Sequence, residues 1–198
     1  LVISQALEWV GNRVQRLALL DRTLQAVANP PLGRLAEVMF HRSRVQLLLA
    51  TPNALANATK AMELAVEAED WPLAVRAGQI KALIEVERGM TDDAKRTQTL
   101  TEEYAQRSGD PASVARAQVR RAYQDMRDGD LDGSLTLSVN AVEVLRKQGR
   151  LRDREYGFIV AARVARRCRN FALAEAYLRE ALAVSVAMGD HHENAALL

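Results

Sequence analysis

The chain has 198 residues, which is enough for one domain with a substantial core or for an array of small units. Its formal net charge of +2 provides no strong long-range attraction to nucleic acid, and its single cysteine, Cys168, excludes an intrachain disulfide. Aromatic residues make up only 5%, while Ala, Leu, Arg and Glu are abundant, so the composition favours helices over strands.

The start of the chain carries no targeting or membrane signal. Its apolar residues are interrupted by Gln5 and Glu8, which does not fit a signal peptide, and no apolar run approaches the roughly 18 residues of a membrane span. We therefore expect a cytoplasmic protein with no membrane association. Because the sequence begins with Leu1 rather than Met, we also expect it to be a segment of a longer protein.

The predicted elements in chain order are pairs of helices. Residues 12–28 have helical spacing and form the second helix of a partial unit at about 1–30. Further units follow at about 31–70, 71–110, 111–150 and 151–190, and residues 191–198 begin another. A turn divides each complete unit into two helices, at Thr51-Pro52-Asn53, Arg88-Gly89, Asp128-Gly129-Asp130 and Arg169-Asn170.

Small residues recur at every fortieth position. The three series are Ala54, Ala94, Ser134 and Ala174; Ala61, Thr101, Ala141 and Ala181; and Ala82, Ala122 and Ala162. The last series is interrupted in the first complete unit, where Arg42 occupies the position. Small side chains allow helices to approach closely, and leucine there would overpack the contact at a cost of ~1–3 kcal/mol. Since no such unit could bury its apolar face alone, the units must stack.

These features resemble the tetratricopeptide repeat (TPR) over residues 12–198. The resemblance rests on the small residue in the first helix, on the turns followed by apolar Leu131 and Phe171, and on the paired small residues of the second helix. The unit is longer than the ~34 residues of that repeat and closer to the ~40–47 of HEAT/armadillo units, but the small-residue spacing across both helices fits the TPR. The Trp, Gly and Tyr landmarks of the TPR first helix are mostly absent.

The resemblance implies an all-α fold, a right-handed α-solenoid of antiparallel helix pairs, in a single TPR-like domain over residues 1–198. The long unit is also similar to the repeat region of MalT-like bacterial transcription regulators. In such a stack the first helices line the concave surface. Their phase predicts a groove that is apolar in its N-terminal half, with Met39 and Phe40, and nearly free of acidic residues apart from Glu87. The predicted partner-binding residues are Arg76, Arg116, Arg120, Tyr123, Arg127, Tyr156, Arg163, Arg166 and Arg167.

The arginines of this groove suggest its ligand. The planar guanidinium matches a carboxylate with two parallel hydrogen bonds, so we expect a protein or peptide partner with acidic residues, or another domain of the same chain. A solvated face of an arginine-rich protein is the alternative interpretation. The function that follows is a protein-interaction scaffold in a bacterial regulatory or signalling protein; the alternative is a nucleic-acid-binding helical repeat, which the low net charge and the scarcity of lysine disfavour.

No catalytic constellation is apparent, so we expect no enzymatic activity, no cofactor and no metal. His191-His192-Glu193 does not fit a metal site, because adjacent histidines on a helix point ~100° apart and no further ligand has zinc spacing. Cys168 falls within a helical pattern, and we expect it to be a buried, inert thiol.

Overall fold

We describe the protein from a computed structural model, which describes residues 13–26 and 28–188. Residues 1–12 of the partial unit predicted at about 1–30, the unit start predicted at 191–198, and His191-His192-Glu193 lie outside the described residues. The described residues form helices in the following order: α1 Arg13–Ala26, α2 Leu32–Leu48, α3 Ala54–Glu67, α4 Trp71–Glu87, α5 Thr91–Ser108, α6 Pro111–Asp128, α7 Leu131–Gln148, α8 Leu151–Arg167 and α9 Phe171–Ala187. No strand occurs within these two ranges.

The chain divides into two compact units, which we call the N-terminal unit (Leu1–Ser108) and the C-terminal unit (Gly109–Leu198). In the N-terminal unit α2 pairs with α3 and α4 pairs with α5, while α1 packs against α2, and α3 against α4. In the C-terminal unit α6 pairs with α7 and α8 pairs with α9, while α8 also contacts both α6 and α7. Short turns make the helices of each pair antiparallel. The assignment of the whole chain to one domain stays a prediction.

Polar side chains fix where several helices begin. Asp110 accepts hydrogen bonds from the backbone N–H groups of Ala112 and Ser113, at 3.2 and 3.0 Å, at the start of α6. Asp70 caps α4 in the same way through the N–H of Leu73, at 3.0 Å. A helix start leaves N–H groups without helical partners, and a side-chain oxygen at this position satisfies them. The Asp side chains therefore determine where α4 and α6 begin.

The turn inside each helix pair has the same left-handed backbone. The residues concerned are Ala50 (φ 51°), Gly89 (φ 75°), Gly129 (φ 104°) and Arg169 (φ 59°). Glycine adopts this conformation without strain, whereas an L-residue with a Cβ adopts it at a cost of ~1–2 kcal/mol. Two helix pairs therefore have this turn conformation without glycine, at Ala50 and Arg169.

The small residues at the helix crossings are buried as their spacing predicts. Ala82, Ala122 and Ala162, on α4, α6 and α8, are all at most 3% exposed. Glycine serves the same purpose on α8, where a Cβ on Gly157 would lie 2.6 Å from Cδ1 of Leu145 on α7. These close approaches leave no room for a larger side chain unless the neighbouring side chains move.

Arg42 departs from the small-residue series because its side chain has polar partners on both neighbouring helices. Its Nε lies 2.8 Å from Oδ1 of Asp21 on α1, and its Nη1 donates to Oδ1 of Asn57 on α3 at 3.3 Å. Asn57 in turn donates from Nδ2 to Oε1 of Gln46 at 2.5 Å. Arg42 therefore links α1, α2 and α3 through charge and hydrogen bonds instead of through close packing.

The long helices have amphipathic or mixed surfaces. Across both described ranges, no helix combines the length and the apolar character that crossing a bilayer requires.

Candidate functional site

The first helices α6 and α8 lie side by side and run in the same direction. Near their N-terminal ends, Nη1 of Arg116 on α6 lies 2.6 Å from Oδ1 of Asp153 on α8. The guanidinium of Arg116 also lies over the ring of Tyr156, with Cζ 4.3 Å from the ring centroid. The structure thus brings together Arg116 and Tyr156, two of the predicted groove residues.

We call this region the α6/α8 surface. It comprises Arg116, Arg120, Tyr123 and Arg127 of α6, and Tyr156, Arg163, Arg166 and Arg167 of α8.

Asp153 is an acidic residue on this surface that the sequence reasoning missed. Its side chain and that of Arg116 are only 12% and 11% exposed, so the two charges neutralise each other largely away from water. Each charge of such a pair needs the other for stability, because removing one leaves the other buried and uncompensated. Arg116 is therefore committed to the fold and is a poor candidate for binding a ligand. The position of Asp153, one helical turn before Tyr156, was the signal that could have identified it.

Arg120 lies one turn further along α6 and has no such partner. The residue is 8% exposed, and its Cζ lies 5.5 Å from the ring centroid of Tyr123. It makes no hydrogen bond or ion pair with any residue in the described ranges. The phase of the helix predicted an accessible residue here, whereas the structure buries most of its side chain.

Four further arginines of the surface are exposed. Arg127, Arg163, Arg166 and Arg167 have no hydrogen bond or ion pair within the described part of the chain. Arg127, Arg166 and Arg167 lie in the last turns of their helices. There a positive charge interacts favourably with the helix dipole, typically by about 0.3–1 kcal/mol. That role leaves the guanidinium N–H donors available to an external acceptor.

Tyr123 and Tyr156 are half-buried rather than open. Both pack against the core cluster of the C-terminal unit that contains Phe158 and Tyr177. One side of each ring lies close to a guanidinium of the chain itself, Arg120 for Tyr123 and Arg116 for Tyr156. These rings therefore hold arginine side chains in place and offer little free aromatic surface.

Arg76, the remaining predicted site residue, belongs to the N-terminal unit. Its Cζ lies 5.2 Å from the ring centroid of Phe40, and that of Arg44 lies 5.8 Å from the same centroid. Phe40 is only 4% exposed. The prediction of an apolar groove surface at Phe40 is wrong, because this ring is part of the core and is flanked by two arginines.

The remaining chemical candidates give no site. Among the residues described, no group of three or more His, Cys, Asp or Glu side chains could hold a metal ion. Cys168 is only partly buried, which corrects the expectation of a buried thiol; it caps the C-terminal end of α8, and its Sγ donates to the carbonyl oxygen of Leu131 at 3.3 Å.

Solved structures decide the fold. The apo form of RapI superposes with a TM-score of 0.61 at 16% identity, covering 93% of this chain and 67% of that chain. BtubC from P. vanneervenii gives a TM-score of 0.59 at 17% identity, covering 92% and 76%. The TPR-like repeats of a putative kinesin light chain from Podosopora anserina give 0.56 at 15% identity, covering 94% and 92%. The fold is that of a TPR-like helical repeat.

The predicted all-α fold of TPR-like helix pairs is confirmed. No protein-family profile and no curated protein matches the chain by sequence. At these low identities the structural likeness establishes the fold and nothing more. The α6/α8 surface of this TPR-like chain carries guanidinium N–H donors with permanent positive charges. Such groups are suited to binding anions.

Proposed function

We propose that the chain is a protein-interaction scaffold whose α6/α8 surface binds an acidic segment of a partner protein. The observation that carries the proposal is the set of four exposed arginines without an acceptor in the described chain: Arg127, Arg163, Arg166 and Arg167. A guanidinium in this state can form two parallel hydrogen bonds to a carboxylate without first breaking an internal ion pair. Binding therefore gains charge-assisted hydrogen bonds at little cost to the fold.

The arrangement of these charges supports an extended acidic ligand. Arg127 is near the C-terminal end of α6, and the other three are near the C-terminal end of the neighbouring parallel helix α8. Like charges on adjacent helices repel each other mildly at the surface, and an anionic segment relieves this repulsion. Because the groups are exposed, salt screens their attraction over a Debye length of about 8–10 Å. Binding should weaken as the salt concentration rises.

The wider setting is part of the same proposal. We infer that the scaffold is the repeat region of a cytoplasmic bacterial regulatory protein of the MalT-like kind and that it has no catalytic activity. The TPR-like fold and the length of the repeat unit support this setting. The acidic segment would come from another protein or from another domain of the same polypeptide.

Nucleic-acid binding is the alternative, and the aromatic residues argue against it. Single-stranded nucleic acid is held by bases stacked on exposed aromatic rings, each contributing about 1–3 kcal/mol. Here Tyr123 and Tyr156 are half-buried, and each ring already has an arginine close to it. A salt titration with a single-stranded oligonucleotide tests the alternative, which requires binding that weakens steeply with salt.

The proposal is tested by charge reversal of exposed residues. We expect Arg127→Glu/Arg163→Glu to weaken binding of an octaglutamate peptide at low salt by at least about tenfold, measured by fluorescence anisotropy. The same variant should lose most of the proteins that the wild-type chain captures from a bacterial lysate. Circular dichroism should show unchanged helical content, because both side chains are exposed and unpaired.

Lys147→Glu is the matched control. Lys147 is exposed and, like Arg127, lies in the last turn of its helix, but that helix is the second helix α7. Because each substitution changes the net charge by two units, Lys147→Glu is compared with the single variant Arg127→Glu, and the control should leave peptide binding nearly unchanged. Equal losses in the two variants would show that binding depends on overall charge rather than on the α6/α8 surface.

A further inference from the structure

Arg120 occupies a position that is apolar in every other first helix. Steps of forty residues from Arg120 lead to Phe40 on α2, Ile80 on α4 and Val160 on α8. Phe40 and Val160 are 4% and 5% exposed, and Ile80 packs partly buried against the core of the N-terminal unit. The fold therefore provides a core position here, and the chain places a permanent positive charge in it.

An unpaired charge at such a position is energetically unfavourable. Burying a polar group without a partner destabilises a fold, and burying an unpaired charge does so more strongly. Arg116, one turn earlier, shows how this fold compensates such a charge, since it pairs with Asp153. For Arg120 the described chain supplies no acceptor at all.

The guanidinium of Arg120 nevertheless remains reachable. Its nitrogen atoms are not among the unpartnered side-chain atoms that are fully shielded from solvent. The side chain is thus more than nine-tenths buried, lies close to Tyr123, and still presents its donor groups to the outside. This combination is that of a preorganised donor, which loses little conformational entropy when an acceptor arrives.

We propose that Arg120 is the anchor of the α6/α8 surface and binds one carboxylate of the partner's acidic segment. This inference rests on the proposed function and adds the residue that determines specificity. The exposed arginines attract the acidic segment, while Arg120 forms paired N–H···O bonds with a single Asp or Glu side chain. Because those bonds form where water is largely excluded, they are stronger than the same bonds at the exposed arginines.

Removal of the charge at Arg120 tests the anchor. In Arg120→Met the position regains the apolar character of its equivalents, so the urea midpoint should stay the same or rise. The affinity for octaglutamate should fall at least about tenfold, measured by anisotropy. The loss should persist at high salt, because the buried site is poorly screened, whereas the loss in Arg127→Glu/Arg163→Glu should shrink as salt rises.

Arg120→Lys is the second variant and keeps the charge without the planar fork. It should fold and lose part of the affinity, since an ammonium cannot form the paired hydrogen bonds. Wild-type affinity in both Arg120→Met and Arg120→Lys would overturn the anchor, and the proposed function would still stand if Arg127→Glu/Arg163→Glu had lost binding. Failure of octaglutamate to bind the wild-type chain at low salt would overturn both proposals.

Competition with inorganic phosphate tests whether Arg120 binds a protein carboxylate or a free anion. The anchor predicts that phosphate, titrated at constant ionic strength, competes only weakly with octaglutamate for the wild-type chain. An Arg120-dependent affinity for phosphate that equals or exceeds the affinity for the peptide would show a site for a free anion. That result would overturn the assignment of Arg120 to a protein carboxylate.

Discussion

The first helices of the two units differ in how many of their basic side chains have partners within the chain. On α2 and α4 every basic residue contacts another residue of the chain; these residues are Arg34, His41, Arg42, Arg44, Arg76 and Lys81. On α6 and α8, by contrast, five arginines have no hydrogen bond or ion pair with any described residue, although Arg120 has a ring contact with Tyr123. The five are Arg120, Arg127, Arg163, Arg166 and Arg167. A count of arginines does not distinguish the two sets of helices, whereas the internal partners of those arginines do.

Lys81 is the clearest case of a cation used internally. Its Nζ pairs with Glu85 on α4 and donates to Oγ1 of Thr97 on α5 at 2.6 Å. Glu85 is 2% exposed, so the carboxylate depends on this lysine for neutralisation. The pair ties α4 to α5 and leaves no charge for a ligand.

Breaking that pair should produce the largest effect on stability. We expect Lys81→Met to lower the free energy of unfolding by about 3 kcal/mol, because Glu85 is left buried and uncompensated. Urea denaturation of the full chain measures the change. The double variant Lys81→Met/Glu85→Met should recover most of the loss, since it removes both charges.

The corresponding change on the other unit should have almost no effect on stability. Arg163→Met removes an exposed charge without a described partner and should alter the unfolding free energy by less than about 0.5 kcal/mol. Similar losses in Lys81→Met and Arg163→Met would contradict the distinction between internal and available cations.

Both units have buried alanines at their helix crossings, and larger side chains at these positions test this shared feature. Ala82 on α4 and Ala122 on α6 are equivalent and at most 1% exposed. Leucine at either position should destabilise its unit by about 1–3 kcal/mol, because three added carbon atoms must fit into a closed helix crossing. Thermal unfolding followed by circular dichroism measures both variants. An unchanged midpoint in either variant would show that the predicted register of small residues is wrong there.

Losses of stability smaller than those from overpacking are expected at the helix caps. Asp70→Ala at α4 and Asp110→Ala at α6 should each cost about 1 kcal/mol, because N–H groups at the helix start lose their acceptor. Asn at either position retains the acceptor and should cost much less. Urea denaturation at neutral pH compares the four variants, and equal costs for Ala and Asn would contradict capping.

The cap of α6 should also give a pH dependence. Burial raises the pKa of the Asp110 carboxyl, but hydrogen bonds from the Ser113 hydroxyl and from the N–H groups of Ala112 and Ser113, together with the charge of Arg150, bring it below its ordinary value. A lowered folded-state pKa means that the ionised cap stabilises the fold fully above the unfolded pKa. The contribution is lost as the pH falls through the lowered value. Asp110→Asn should remove this part of the acid sensitivity.

The fold was predictable because its signals are local and repeated. Periodic small residues and turn residues at equal intervals determine helix pairs without any knowledge of tertiary contacts, as Ala82, Ala122 and Gly129 illustrate. The replacement of a small residue by Arg42 could not be explained from the sequence, because its partners Asp21 and Asn57 belong to two other helices.

The candidate site was predictable in outline only. Helical phase placed Arg116 and Tyr156 on neighbouring helices, and they do meet. Phase does not determine how deeply a neighbouring helix buries a side chain, so the low exposure of Arg120 was missed. It also does not identify which charges pair across helices, and Asp153 was overlooked for that reason.

The left-handed turns explain how such a repeat becomes hard to recognise by sequence. All four turns within helix pairs have a residue with positive φ, but only Gly89 and Gly129 are the residue that this conformation favours, while Ala50 and Arg169 are not. A sequence profile that gives weight to glycine at this point would register half of these turns, whereas backbone geometry registers all of them. The four turns of this chain therefore share a positive φ although the residue that adopts it differs between them.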